Sequence, residues 1–201
     1  MVGISVKFTV TAHRLLIGLG AGFMALLWVK SASTQPIAVP VRLQAELLSK
    51  VAAYDRGFLA RARGRVLVFV ITKAGDPESD RVGEQIRAEL RVLDQIGGLP
   101  HTEETIAYSS AGSLAELCQR RMPTIVYLSL GLGDQIESLA NALDGQSVLS
   151  VAVAASYVPK RAVLGFDTES GKPKLLVHLG QARHQQVAFK PELLALARVT
   201  R

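Results

Sequence analysis

Apolar residues recur along the chain in two alternating patterns, one typical of helices and the other of buried strands. After residue 40, apolar side chains at helical spacing predict a first helix of about 20 residues that ends near Gly64. Its apolar stripe comprises Leu43, Leu47, Val51, Tyr54 and Phe58. Residues 66–72 form an apolar run rich in β-branched side chains, which predicts a buried strand. Asp76 and Pro77 are typical of a helix start, and Gly97 with Gly98 predicts the end of this second helix.

The same alternation continues through the middle of the chain. Residues 104–108 predict a weaker strand, and the capping-box pattern of residues 113–116 predicts a short helix that ends near Arg121. Residues 124–130 and 147–154 are apolar and predict two more buried strands. Residues 131–134 form a turn into the helix between them, whose apolar face comprises Ile136, Leu139, Ala140 and Leu143.

The pattern changes after residue 154. Two short runs, 162–167 and 174–179, flank Glu169, Ser170 and Gly171, which predicts a hairpin. Short helices end the chain, the last beginning at Pro191. Because strands that alternate with helices are joined by right-handed crossovers, we expect a single three-layer α/β domain with a mostly parallel sheet. The hairpin near the C-terminus is expected to add an antiparallel edge.

The N-terminal residues follow a different pattern. Residues 1–14 are basic and contain no acid, residues 15–29 are apolar and uncharged, and the small residues Ser31, Ala32 and Ser33 follow. This is the pattern of an export signal, and the apolar run is shorter than the ~20 residues of a spanning helix. We predict a signal peptide at 1–33, a linker at 34–41 and an α/β domain at 42–201 that lies outside the cytoplasm. An uncleaved membrane anchor is the alternative, because Lys30 directly follows the apolar run.

Composition excludes several classes of function. The chain has 23 Lys+Arg and 17 Asp+Glu, and three of the basic residues lie in the predicted signal, which leaves 20 against 17. This excess is too small and too scattered to indicate a nucleic-acid partner. A single cysteine excludes an intramolecular disulfide and any multi-cysteine metal site. No Gly-x-Ser-x-Gly motif of a serine hydrolase is present in the sequence.

Loops at the carboxyl ends of parallel strands are where α/β sheets commonly bind ligands. We therefore predict that the ligand or partner contacts lie there; the candidate residues are Gly75, Asp76, Ser109, Ser110, Gly131, Gly133 and Asp134. Each also has a simpler structural interpretation. The acids after Gly75 lack the remaining ligands of a calcium loop and suit a helix cap. Gly131 and Gly133 lack the third glycine of a dinucleotide fingerprint and suit a tight turn.

The reactive side chains form no recognisable catalytic or metal-binding motif. Cys118 has no partner base in the pattern and is interpreted as a buried structural cysteine. His178 and His184 are six positions apart, which is not a metal-ligand spacing. The mildly basic stretch from Gln181 to Lys190 is interpreted as a solvated surface, with an acidic partner as the alternative. We therefore predict no catalytic residue, no metal and no cofactor.

Two segments near the C-terminus resemble the closing part of the YfiR-type family of exported bacterial proteins. They are Gly-Lys-Pro-Lys-Leu-Leu-Val-His-Leu-Gly-Gln-Ala-Arg at 171–183 and Pro-Glu-Leu-Leu-Ala-Leu-Ala-Arg-Val at 191–199. The turn at 75–77 and the apolar run at 148–153 also fit in order, so the resemblance covers roughly residues 42–200. The chain lacks the paired cysteines of better-known members, and Cys118 is followed by Gln119 where relatives carry Cys-His. These departures indicate a divergent member.

This resemblance implies a periplasmic regulator and not an enzyme. Characterised relatives restrain a membrane-bound diguanylate cyclase by binding its periplasmic sensor region, which lowers cyclic-di-GMP signalling and biofilm formation. An inner-membrane signalling protein is therefore the expected partner, and a small molecule could tune the contact. The alternatives are a periplasmic solute-binding protein and, third, an enzyme that uses Cys118 or His178. The sequence leaves the oligomeric state open, a homodimer included.

Overall fold

The computed structural model describes residues 2–3 and 36–201. Residues 36–201 contain one seven-stranded sheet flanked by helices. The strands are β1 (Val66–Lys73), β2 (His101–Tyr108), β3 (Ile125–Leu128), β4 (Leu149–Ala152), β5 (Leu164–Glu169), β6 (Lys172–His178) and β7 (Arg198–Thr200). The helices are α1 (Val41–Val51), α2 (Phe58–Ala62), α3 (Pro77–Arg91), α4 (Ala111–Arg121), α5 (Ile136–Leu143), α6 (Leu179–His184) and α7 (Pro191–Leu196).

The predicted signal peptide at 1–33 lies outside the described residues, apart from residues 2–3. In the part of the chain that the structure describes, no helix has both the length and the hydropathy required to cross a bilayer.

The sheet has the order β2-β1-β3-β4-β5-β6-β7. All neighbouring strands are parallel except β5 and β6, which form the antiparallel hairpin. Helices α1 and α3 contact each other, and α4 contacts α5, as expected when helices cover the two faces of a sheet. The predicted fold class, a mostly parallel α/β sheet with a hairpin near the C-terminus, is confirmed.

The prediction that the hairpin forms the edge of the sheet is wrong. Strand β7 pairs in parallel with β6 through Leu176 and Arg198, Val177 and Val199, and His178 and Thr200. It therefore covers the outer side of the hairpin. The sequence analysis missed this strand because three residues are too few to establish an alternating pattern.

The predicted first helix of about 20 residues is broken in two. Helix α1 ends at Val51, a 3₁₀ turn follows, and α2 begins at Phe58. The break occurs because the carboxylate of Asp55 accepts hydrogen bonds from the N–H groups of Gly57 and Ala188. These bonds attach the connection to a segment near the C-terminus, an interaction that helical periodicity does not reveal.

Two predicted helix ends differ from the structure. Helix α3 begins at Pro77 as predicted but ends at Arg91, and Gly97 lies in a separate turn against the ring of Phe58. Helix α4 is capped by Ser110, whose hydroxyl oxygen accepts from the N–H of Ser113, so Ser113 is not the cap that the capping-box pattern predicted.

The core lies between the sheet and its helices. Strands β3 and β4 are buried along their whole length, and β1 is buried except at two positions. Helix α3 begins four residues after the end of β1, and α5 begins eight residues after the end of β3. This arrangement holds the loops after β1 and β3 side by side, because those two strands are neighbours in the sheet.

Candidate functional site

The loops after β1 and β3 contact each other at the end of the sheet where its parallel strands have their carboxyl ends. We call this end the carboxyl edge. Oδ1 of Asp76 accepts from the N–H groups of Glu78 and Ser79, each at 3.1 Å, and so caps α3. Gly131 has φ of +80°, and a Cβ atom placed there would lie 2.7 Å from Oδ2 of Asp76. Glycine at 131 is therefore required both by the backbone conformation and by the close approach of the cap.

The connection between β4 and β5 adds two residues that sequence reasoning missed. The N–H of Leu132 donates to the hydroxyl of Tyr157 at 3.1 Å, and Nζ of Lys160 donates to the carbonyl of Gly133 at 3.0 Å. Burial, with smaller contributions from the carboxylates of Asp76 and Asp134, raises the pKa of Tyr157 to about 12, although the hydrogen bond from Leu132 acts in the opposite direction. No sequence signal marked these contacts, since they join positions 25 and 27 residues apart.

Ser109 and Ser110 lie apart from this group. Both border a separate cavity of about 180 Å³ between the end of β2 and α4. Much of its lining is apolar and includes Ile71, Ile106 and Leu117. The seven candidate residues therefore form two groups, five at the contacting loops and two beside this small cavity.

The exposed charges of the contacting loops are of both signs. Lys73 is 42% exposed at its side chain, and its Nζ lies 3.9 Å from Oδ2 of Asp76. Lys160 is exposed on the neighbouring connection.

The reactive side chains of the described residues lie away from these loops. Cys118 is buried, which confirms that prediction, and burial raises the pKa of its thiol to about 12, so it stays protonated near neutral pH. Nδ1 of His178 accepts from the N–H of Gln181 at 3.1 Å and caps α6. Within residues 2–3 and 36–201, no group of three or more His, Cys, Asp or Glu side chains could hold a metal ion.

The fold is a mostly parallel α/β sheet with contacting loops at its carboxyl edge. The family model described as YfiR/HmsC-like matches residues 43–198. The chain belongs to this family, whose members are in general periplasmic regulators and not enzymes. None of the curated proteins compared with the chain matches it.

Two solved structures share the fold. One is titled the ABC domain in complex with L-Trp from Streptococcus pneumoniae, with a TM-score of 0.56, 8% identity and 80% of this chain covered. The other is a conserved domain protein from Vibrio cholerae, with a TM-score of 0.54, 14% identity and 81% of this chain covered. The matches cover 61% and 60% of those two chains, and at these identities the likeness concerns the fold alone.

Proposed function

We propose that the protein is a periplasmic regulator that binds the extracytoplasmic part of an inner-membrane signalling protein, such as a diguanylate cyclase. The observation that carries this proposal is the family match, which spans residues 43–198 and so nearly all of the described domain.

The physical mechanism is a shift of the partner between two conformations. A protein that binds one conformation more tightly moves the equilibrium only by its difference in affinity for the two. A shift from mostly active to mostly inactive partner requires a large difference, about 10⁴-fold to go from 99:1 to 1:99. A rigid contact surface strengthens binding to the preferred conformation because little conformational entropy is lost on binding.

The contacting loops of the carboxyl edge are the surface that we assign to the partner. Asp76, Gly131 and Tyr157 hold these loops together, and Lys73 and Lys160 stand exposed on them. We expect Lys160→Glu and Lys73→Glu to weaken the partner contact, because they reverse charge without removing a buried group.

In-cell photocrosslinking tests this assignment. A photoreactive amino acid is placed at Lys73 or Lys160, with Lys50 on α1 as the matched control, and the attached proteins are identified by mass spectrometry. We expect an inner-membrane signalling protein, crosslinked through its periplasmic portion, from Lys73 and Lys160 but not from Lys50. Only self-crosslinks, or no adduct, would contradict the proposal.

The cyclase identity requires its own measurement. If the partner is a diguanylate cyclase, removal of the protein raises cellular cyclic-di-GMP, and Lys160→Glu raises it in the same direction. If a partner is crosslinked but the cyclic-di-GMP level is unchanged, the partner is not a diguanylate cyclase. That result would not contradict the regulatory contact itself.

A periplasmic solute-binding protein is the second candidate. The observation in its favour is the fold shared with the structure titled in complex with L-Trp. The cavity beside Ser109 and Ser110 is too small for this role, since about 180 Å³ is below the roughly 300–1,000 Å³ of typical ligand pockets, so a solute would have to occupy a different cavity. A rise in melting temperature with L-tryptophan, with no crosslinked partner, would favour solute binding.

A further inference from the structure

A larger cavity, of about 610 Å³, lies at the opposite end of the sheet, where its parallel strands have their amino ends. It is bounded by α2, by the end of α4, by the residues before β4 and by Gln186 after α6. Its apolar lining includes Ala60, Pro123 and Val148, and its polar lining includes Gln119, Gln146 and Gln186. This volume falls within the range of sites that hold small organic molecules.

Arg61 lines this cavity with much of its donor capacity unused. Its side chain is 3% exposed, and Nη2 forms an ion pair with Asp55. Nη1 donates to the carbonyl of Gln186 at a long 3.4 Å, and Nε has no hydrogen-bond partner among the described residues. A buried guanidinium with donors left over is costly, and an acceptor from a ligand would relieve that cost.

The space beside Nη1 is open because residue 57 is glycine. A Cβ atom at Gly57 would lie 3.9 Å from Nη1 of Arg61 and 3.8 Å from the carbonyl of Gln186, which is ordinary van der Waals contact. The backbone of Gly57 has φ of −92°, which any residue adopts. Neither backbone conformation nor close packing therefore requires glycine here.

Unusual backbone conformations gather at the same cavity. Five non-glycine residues of the described chain have positive φ, and three of them line it: Arg63, Met122 and Gln186. Each of the three ends a helix, where glycine is the usual residue. Such conformations concentrate at binding sites when the side chain is needed there. At Arg63 the side chain brings a second guanidinium to the rim.

We propose that this cavity binds a small organic anion. Its carboxylate or phosphate group would contact Nη1 of Arg61 and the side chain of Arg63, and its apolar part would lie on Ala60, Pro123 and Val148. Guanidinium groups pair with oxyanions through directed N–H donors, and no acidic side chain of the described residues lines the cavity.

Two features of the cavity disfavour an anion, so the test must distinguish an anion from a cation. Asp55 offsets the charge of Arg61, although its oxygens already accept from Arg61, Gly57 and Ala188. The C-terminal ends of α2 and α4 also carry partial negative charge toward the cavity. If these features dominate, the cavity will prefer a cation.

Three probes of equal chain length separate these possibilities: hexanoate, hexanol and hexylammonium. Each is titrated into the purified protein, and backbone amide shifts are followed by two-dimensional NMR. We expect hexanoate to shift the amides of Gly57, Ser147 and Gln186 at concentrations where hexanol and hexylammonium do not. Inorganic phosphate is added as a competitor, because displacement of hexanoate would show that the charged group is what the site recognises.

Two variants and a control locate the contact. Arg63→Gly suits the positive φ and should weaken hexanoate binding about fivefold, the effect of removing a rim charge. Gly57→Ala occupies the space beside Nη1 and should weaken it about tenfold. The control is Gly112→Ala on α4, where a Cβ meets nothing within 4 Å, and it should leave binding unchanged.

Equal binding of hexanoate and hexanol, stronger binding of hexylammonium, or no shift with any probe would each overturn the proposal. So would hexanoate binding that Arg63→Gly and Gly57→Ala leave unchanged. These results concern the purified protein alone and do not depend on the membrane partner.

Discussion

The two edges of the sheet are built in different ways. At the carboxyl edge, short loops are held by a helix cap, a required glycine and two hydrogen bonds to backbone atoms. At the opposite end of the sheet, formed by the amino ends of its parallel strands and called the amino edge, a buried ion pair links Asp55 to Arg61 of α2 beside an open cavity. Asp55 also accepts a hydrogen bond from the N–H of Ala188, in the segment after α6. The first edge is compact and exposed, whereas the second is recessed and contains unused donors.

This difference is the reason for proposing a protein partner at one edge and a small molecule at the other. The loops around Asp76 and Lys160 are accessible and held by several contacts, and we therefore assign the protein partner to them. A small ligand needs a concave site that removes it from water and offers a few directed donors, as the cavity beside Arg61 does.

The largest expected effect is the loss of the buried ion pair at the amino edge. Arg61→Met leaves the carboxylate of Asp55 buried without its charged partner, which should cost about 3–5 kcal/mol of unfolding free energy. Urea denaturation followed by circular dichroism measures this loss.

The control for this prediction is the double variant Asp55→Asn with Arg61→Met. It removes both charges, and the asparagine oxygen can still accept from the N–H groups of Gly57 and Ala188. We expect it to be more stable than Arg61→Met alone. If it is less stable, the unpaired carboxylate of Asp55 is not what destabilises Arg61→Met.

The next largest effect should occur at the carboxyl edge. Gly131→Ala forces a Cβ atom to 2.7 Å from Oδ2 of Asp76 at a φ of +80°, and should cost about 2–3 kcal/mol. Gly75→Ala is the matched control, because its φ is +72° but a Cβ there meets nothing within 4 Å. We expect about 1 kcal/mol for Gly75→Ala. Equal losses in urea denaturation would show that the contact between the two loops is unimportant.

A gain in stability should come from relieving the backbone of the cavity rim. Arg63→Gly places glycine at a φ of +51° at the end of α2 and should raise the unfolding free energy by about 0.5–1 kcal/mol. The exposed contact that it removes, between Arg63 and the sulfur of Met122, contributes little. Arg65→Gly, two positions later and without positive φ, should instead lower stability. Stabilisation by both variants would contradict the conformational explanation.

The smallest effect should be a pH dependence at the start of α6. Burial lowers the pKa of His178 from 6.5, with Arg161 and His184 acting in the same direction. Because its neutral Nδ1 accepts from the N–H of Gln181, stability is full above pH 6.5 and falls as the pH drops toward the lowered pKa. His178→Asn keeps a capping oxygen and does not titrate, so its urea midpoint should decline less over this range. Parallel profiles for the two proteins would rule out His178 as the source.

Local sequence patterns predicted much of the fold and two features of the candidate site. The capping of α3 by Asp76 and the turn at Gly131 were visible because both depend on neighbours along the chain. Tyr157 and Lys160 were not visible, because their partners Leu132 and Gly133 are brought to them only by the packing of β4 and β5 beside β3. The assignment of this edge to a partner stays a prediction.

By itself the sequence determined the alternation of strands and helices, the parallel sheet and the hairpin, because hydrophobic periodicity and turn residues act over a few positions. The tertiary structure alone decided the break after α1, the added strand β7 and the cavity beside Arg61. Each of these depends on contacts between distant segments, such as that of Asp55 with Ala188, 133 positions away. Periodicity records which face of an element is buried, but it does not record which distant residue will lie against that face.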